Sequence, residues 1–286
     1  GMSYKNAMAG LPLGGGKGVV LAGPDRLKTP AMLAAFGRAI ESLGGKYVTA
    51  EDVGMSDADM VTISGETRHV SGLPVTDGSA AGGDPGPFTA RGVYLGIKAA
   101  AKQRLGTDDM AGVHVAVQGV GSVGGGVARL LAADGAKLTL TDPDEAKLSA
   151  MATETGGTAV SLDQIMTVKA DIFSPNALGA ILTASSISAL DVAIVAGGAN
   201  NQMATPADAQ RLHDRGILYA PDYVINAGGI INVGLEYLGQ GDRAEVEARI
   251  AKIPERLDQV WDESAKSGDP ASDVADRIAR RMIGRA

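Results

Sequence analysis

Apolar residues along this chain fall into two rhythms. Short continuous runs suit strands buried on both faces, stretches of helical spacing suit helices, and glycine and proline mark the breaks. Early on, Val19–Val20–Leu21 and Tyr47–Val48–Thr49 read as short strands between helices. Thr29–Pro30 reads as an N-cap followed by proline at the first helical position, opening a helix over residues 30–43. Gly82–Gly83–Asp84–Pro85–Gly86–Pro87 breaks any regular element and predicts a boundary, after which residues 89–103 resume a helical pattern.

From Val113 the pattern becomes strand, glycine turn, helix, strand: Val113–His114–Val115–Ala116–Val117, residues 119–126, residues 127–134, then Lys137–Leu138–Thr139–Leu140–Thr141. This is the opening βαβ unit of a doubly wound sheet. Asp171–Ile172–Phe173, Val192–Ala193–Ile194–Val195 and Ile217–Leu218–Tyr219 are further buried-strand candidates, separated by helical stretches such as residues 206–215. The spacing predicts an α/β fold with a parallel sheet of five or six strands. The charged tail, residues 243–286, is interrupted by Gly268–Asp269–Pro270 and reads as helices.

Length and composition sharpen this picture. A chain of 286 residues is long enough for two lobes with a cleft between them. Aromatic residues are only 3% of it, so the core must be filled mainly by Ala, Val, Leu and Ile, with 40 glycines supplying tight turns. The formal charge is −7 and the 26 Lys and Arg are scattered, which argues against a nucleic-acid or anionic-membrane partner and for a small molecule. With no cysteine, disulfides, thiolate metal sites and cysteine nucleophiles are excluded, and a cytoplasmic setting is the expectation. No apolar run approaches the roughly 20 residues that span a bilayer. His69, His114 and His213 fall in no metal-ligand pattern, so no metal site is expected.

Gly119–Val120–Gly121–Ser122–Val123–Gly124 fits the dinucleotide pattern G-x-G-x-x-G, after an apolar strand and before a helix. Gly119 would make the tight turn, Gly121 would let the backbone approach a pyrophosphate, and Gly124 would permit close packing of helix on strand. Ser122 and Val123 lie in the turn that leads into the helix, whose free N–H groups suit an anion. Asp142 ends the second strand, where a carboxylate can accept hydrogen bonds from the adenosine ribose. Asp144 and Glu145 follow it, and three acidic groups without a neighbouring arginine would repel a 2′-phosphate, which favours NAD over NADP. The alternative is a glycine turn needed only for packing, beside a solvated acidic corner.

Lys5 and Lys17 are the other informative residues. Lys17 follows Gly14–Gly15–Gly16, where bare backbone lets a substrate or cofactor ring come close, and a desolvated lysine beside another cation can serve as a base near neutral pH. A solvated loop lysine is the plain alternative. Asp52 follows a strand-like run where a carboxylate can enter a cleft, although a cap or turn would use the same residue. Glu51 is expected to face solvent, because neighbours on an extended chain point opposite ways.

Met2–Ser3–Tyr4–Lys5–Asn6–Ala7, Leu13–Gly14–Gly15–Gly16–Lys17 and Ala50–Glu51–Asp52–Val53–Gly54 resemble the glutamate/leucine/phenylalanine/valine dehydrogenase family. So do Gly82–Gly83–Asp84–Pro85 through Thr89, Gly197–Gly198–Ala199–Asn200–Asn201–Gln202 and Ala220–Pro221–Asp222–Tyr223–Val224–Ile225–Asn226–Ala227–Gly228–Gly229, most closely its leucine dehydrogenase branch. The likeness runs through essentially the whole chain. It implies a Rossmann-type doubly wound parallel sheet in residues 86–264, binding NAD. It also implies a partial α/β substrate domain in residues 1–85, with the helices of about 265–286 packing back on it.

The implied reaction is reversible oxidative deamination of an L-amino acid to its 2-oxo acid and ammonia. By the resemblance, Lys5 pairs with the substrate carboxylate, Lys17 activates the water that attacks the iminium carbon, and Asp52 shuttles the proton of the amino group. Thr89, Asn200 and Asn201 hold the nicotinamide and the substrate. Ile230 and Val233 are candidates for an apolar side-chain pocket, or plain core, and no cation stands ready for a second carboxylate, so an apolar amino acid is favoured over glutamate. Family members carry a further segment ahead of the lysine loop. Without it the first lobe would expose sheet edges and apolar faces, which predicts a homo-oligomer. A homologue that binds NAD without turnover and an interaction module without cofactor are the competing readings.

Overall fold

Two kinds of strand environment divide the chain. A computed structural model describes residues 1–21, 23, 25, 28–52, 54–75 and 78–285; Val53 of the quoted motif and Ala286 of the tail lie outside these. The first part holds α1 (Met2–Met8), α2 (Pro30–Ser42), β1 (Thr49–Ala50), α3 (Asp57–Ser64) and β2 (Val70–Ser71). β1 and β2 pair in parallel, Thr49 opposite Val70. Leu33, Ile40, Met60, Ile63 and Val70 form a small core under them. α2 starts as expected, with the Thr29 hydroxyl accepting from the Met32 N–H and proline in the first turn.

The second part opens with α4 (Gly86–Leu105), then β3 (His114–Gln118), α5 (Ser122–Ala133), β4 (Lys137–Thr141), α6 (Glu145–Thr155), β5 (Thr158–Ala159), β6 (Ile172–Pro175), α7 (Ala184–Ala189), β7 (Ile194–Val195), α8 (Ala207–Asp214) and β8 (Leu218–Tyr219). Its six strands lie in the order β5-β4-β3-β6-β7-β8, every neighbouring pair parallel. The first strand of this sheet, β3, is central and the order reverses beside it, the arrangement of a doubly wound nucleotide-binding sheet. Helices cover both faces, so β3 and β6 read as continuous apolar runs: Val115, Ala116, Val117, Ile172 and Phe173 are all buried.

After the sheet come α9 (Asp222–Ile225), α10 (Gly228–Leu238), α11 (Arg243–Ile250), α12 (Ile253–Ser267) and α13 (Ala271–Met282). α13 packs on α12 and returns to α1, where the Arg280 guanidinium donates to the Tyr4 hydroxyl at 2.9 Å. α10 joins the two parts. Glu236 accepts from the Ser71 hydroxyl (2.7 Å) and the Gly72 and Leu73 N–H groups (2.7 and 3.1 Å) at the end of β2. Tyr237 meets His69 Nδ1 at 3.0 Å, and the Asn232 amide both donates to and accepts from the Gly82 backbone at 2.9 Å. The boundary segment around Gly82 is therefore clamped onto the helix that follows the sheet.

Several sequence expectations are corrected. Val19–Val20–Leu21 forms no strand: the segment has no sheet partner among the described residues and lies exposed, Leu21 at 91%. Tyr47 and Val48 fall outside β1, because the Tyr47 ring is drawn onto the lysine loop, where its hydroxyl accepts from the Gly18 N–H at 2.7 Å. α4 begins at Gly86 and contains Pro87, since a first-turn proline lacks only an N–H that the helix does not need. α5 begins inside the glycine motif, at Ser122, and not at residue 127.

Candidate active site

The crevice lies at the carboxyl ends of β3 and β6, where the strand order reverses and such sheets bind ligands. Gly119 leaves β3 at φ 86°, a left-handed conformation that side chains resist. Gly124 lies so close that a Cβ on it would stand 1.9 Å from the Gly119 carbonyl oxygen. A Cβ on Gly121 would meet nothing within 4 Å, so the space beside this second glycine is open.

That space faces the start of α5. Gly121 is the N-cap and supplies no side-chain acceptor, and the first internal bond runs from the Gly125 N–H to the Gly121 carbonyl at 2.7 Å. The N–H groups of Ser122, Val123 and Gly124 therefore remain for an anion. Asp142, at the end of β4, accepts from the Val120 N–H (2.8 Å) and the Asp144 N–H (2.9 Å), which fixes its carboxylate beside the glycine turn. Asp144 itself caps α6 and pairs with Lys147 at 3.2 Å, so one of the three acidic charges at this corner is offset. Open space, unused donors and a fixed carboxylate fit a dinucleotide.

The lysine loop belongs to the first part of the chain. Its glycines serve a purpose the sequence reading missed. A Cβ on Gly15 would stand 2.2 Å from the Ser3 nitrogen, and one on Gly16 would stand 2.7 Å from the Tyr47 ring. The bare backbone thus lets the loop pack on α1 and Tyr47, and the Asn6 amide donates to the Gly14 carbonyl. This packing presents Lys17, whose ammonium forms an ion pair with the Asp52 carboxylate. Both side chains are about half exposed, 56% and 44%. Partial burial lowers the Lys17 ammonium below its ordinary value.

Lys5, one turn into α1, keeps some surface, but its surroundings remove water from the ammonium and push it down to about 8. The Asp222 carboxylate opposes that fall and the Lys17 charge adds to it. Glu51 corrects another expectation: it is the more enclosed of the two acids, with Oε2 buried and lacking a partner among the described residues. Burial first, then the Asp57 and Asp84 charges, raise its carboxyl above the usual range. A chain leaving a two-residue strand does not hold the alternation of a long one.

A polar group comes from the loop after β7, the end of α9 and the first turn of α4. Asn200 accepts from the Asn226 amide at 2.7 Å, and Asn226 also donates to the Gly198 carbonyl at 3.0 Å. Asn201 is exposed and adopts φ 51°, a strained value for a residue with a side chain. The Thr89 hydroxyl donates to the Pro85 carbonyl at 2.9 Å, against Gly229 at the start of α10. Asn226 was quoted in the sequence motif but given no role. It is 2% exposed, and its Oδ1 is buried without a partner among the described residues, which is costly unless a ligand donor meets it. Its place directly before Ala227–Gly228–Gly229 was the available signal.

Ile230 and Val233 stand one helical turn apart on α10. Ile230 is half-buried against the main core, while Val233 is buried and its carbonyl accepts from the Ser71 hydroxyl at 2.6 Å. The groups of the candidate site therefore fall in two sets, Lys5, Lys17 and Asp52 on one side and residues 119–124 with Asp142 on the other. Thr89, Asn200, Asn201, Asp222 and Asn226 lie on the connecting loops and helix ends.

Residues 1–69 match the family model described as Glu/Leu/Phe/Val dehydrogenase, dimerisation domain, and residues 137–286 match that of Glutamate/Leucine/Phenylalanine/Valine dehydrogenase. The chain is 45% identical to leucine dehydrogenase of Geobacillus stearothermophilus, over 99% of its own length and 76% of that protein. It is 41% identical to valine dehydrogenase of Streptomyces virginiae, over its full length and 80% of that protein. The crystal structure of L-tryptophan dehydrogenase from Nostoc punctiforme superposes with a TM-score of 0.83 at 38% identity, covering 99% of this chain and 80% of that one. Two family models, high identity along nearly the whole chain and a doubly wound sheet agree: this chain belongs to the glutamate/leucine/phenylalanine/valine dehydrogenase family.

Proposed function

We propose that the chain catalyses the reversible, NAD-dependent oxidative deamination of an apolar L-amino acid, leucine or another branched-chain substrate first, to the 2-oxo acid and ammonia. The observation that carries this reading is the Lys17–Asp52 ion pair with Lys5 close enough to feel the Lys17 charge, in a chain whose glycine turn leaves helix N–H groups free. Relatives named for leucine, valine and tryptophan support an apolar substrate.

In this reading the Lys5 ammonium holds the substrate carboxylate. Lys17, whose proton is loosened by partial burial, takes a proton from the attacking water at Nζ. Asp52 moves the proton of the amino group through the carboxylate that pairs with Lys17. Ile230 and Val233 flank the side chain of the substrate, and Asn201 and the unpaired Asn226 Oδ1 orient its polar end. Gly119, Gly121, Ser122, Val123, Gly124, Asp142, Thr89 and Asn200 hold the cofactor. NAD, when bound, supplies the acceptor for the hydride that leaves the α-carbon.

We assign residues 1–85 with the helices of about 265–286 to the substrate side and residues 86–264 to the cofactor side. The enzyme is taken to work as a homo-oligomer in the cytoplasm. The exposed Val19 and Leu21, within the part matched by a family model whose description names dimerisation, support the assembly.

NADH formation at 340 nm with L-Leu, L-Val, L-Ile, L-Phe and L-Glu tests the reading. Turnover on Leu, Val or Ile above that on Glu is expected; turnover on Glu alone, or none on any of the five, contradicts it.

A further inference from the structure

α9 is a single turn, yet it touches both halves of the candidate site. Its first residue, Asp222, follows Pro221 and accepts from the Tyr223 N–H at 2.6 Å and from the Gln202 N–H at 3.2 Å. The Asn201 N–H also points to this carboxylate. The Gln202 and Asn201 donors come from the turn in which Asn201 holds its strained φ of 51°. A half-buried acceptor aimed at successive N–H groups is a physical means of keeping such a residue in place.

The other side of α9 packs on α1. The Tyr4 and Tyr223 rings stand 6.4 Å apart at 51°, and the Tyr223 hydroxyl donates to Asp276 of α13 at 2.9 Å. This contact sets α1 against α9, with Lys5 near enough for the Asp222 carboxylate to favour its charged form. The charged and titratable groups around Asp222 are Lys5 from α1, Tyr219 from β8 and Tyr223 from α9, while Lys17 of the loop acts on Lys5. Asp52 is paired to Lys17, and the Asp222 carboxylate is a negative charge that favours the Lys5 ammonium.

We propose that Asp222 is a positioning residue that ties the substrate-carboxylate lysine to the Asn200–Asn201 turn, holding the two reactants in one register for hydride transfer. The proposal rests on the roles given above to Lys5 and to that turn. Asp222 touches neither reactant and acts through Lys5 and through the turn backbone.

Asp222→Asn and Asp222→Ala in the full chain separate its two actions. The readouts are acetic anhydride labelling of Lys5 against pH by peptide mass spectrometry, NAD affinity by calorimetry, and KM and kcat for L-leucine. In Asp222→Asn the amide oxygen still accepts from the turn, so NAD affinity stays within about twofold of the parent. Loss of the negative charge disfavours the ammonium, so the Lys5 labelling midpoint moves to lower pH and KM for leucine rises about tenfold, with a smaller change in kcat. Asp222→Ala also frees the turn and weakens NAD about tenfold. An unchanged labelling midpoint in Asp222→Asn, or unchanged NAD affinity in a folded Asp222→Ala, overturns the proposal. If Asp222→Ala does not fold, the Asp222→Asn midpoint decides. A parent without turnover defeats the dehydrogenase reading, while labelling and NAD binding still test Asp222.

Discussion

The Lys17 ammonium is paired with the Asp52 carboxylate at the edge of the crevice, each side chain about half exposed. A surface pair of this kind adds little to stability, so its removal separates chemistry from folding. Asp52→Asn keeps the shape and removes the proton acceptor. It should cut kcat by about 10²–10⁴-fold while the unfolding midpoint in urea changes little. Equal losses of stability and activity would make Asp52 a structural residue.

Lys5 predicts a pH dependence with a definite sign. Its proton is held less tightly in the folded chain, at about 8 against an ordinary 10.5. Above about 8 the ammonium proposed to hold the substrate carboxylate is lost, so KM for the amino acid should rise there in steady-state assays. Between the two values the unfolded chain binds the extra proton, so this group makes folding stability increase with pH across that window. A KM flat from pH 7 to 10 would remove Lys5 from substrate binding.

The glycine turn yields a contrast between two similar substitutions. Gly124→Ala puts a methyl 1.9 Å from the Gly119 carbonyl, which the turn cannot absorb, so low soluble yield or a strongly lowered melting temperature is expected. Gly121→Ala meets nothing in the free protein and should fold normally. Its methyl enters the open space at the helix start, and calorimetry should show NAD binding weakened about tenfold or more. Normal NAD affinity in Gly121→Ala would place the pyrophosphate elsewhere.

Glu236 accepts three hydrogen bonds from Ser71, Gly72 and Leu73, joining α10 to the end of β2, the strand that pairs with β1 two residues before Asp52. Removing the acceptor leaves the Gly72 and Leu73 N–H groups without it, while the Ser71 hydroxyl keeps the Val233 carbonyl. Glu236→Ala should lower the unfolding free energy by about 2–3 kcal/mol in urea titration, and Glu236→Gln by less. A change in Glu236→Ala under 0.5 kcal/mol, the size about expected of an ordinary surface substitution, would show that water replaces the carboxylate.

Much of the second part was legible because its signals are local. The runs around Val115 and Leu138, the glycine motif and Asp142 each report on their own strand or turn, and the parallel sheet follows from their spacing. Long-range packing was hidden. Nothing near Val19 tells that no strand among the described residues pairs with it, and nothing near Gly15 tells that Ser3 occupies the space beside it. The exposures of Glu51 and Asp52 were reversed for the same reason, since the surroundings of Glu51 include Asp57 and Asp84. Asn226 emerged only once its buried amide and the Asn200 side chain were seen together.

The central claim is that Lys17 performs the chemistry of an amino-acid dehydrogenase rather than holding the loop. Turnover of L-leucine and NAD binding, measured on the parent and on Lys17→Ala, test it most directly. The account predicts NAD affinity within about twofold and kcat/KM lowered by about 10²–10⁴-fold, the range for loss of a general base. Leucine turnover retained within about tenfold in Lys17→Ala would fall below that range and contradict it.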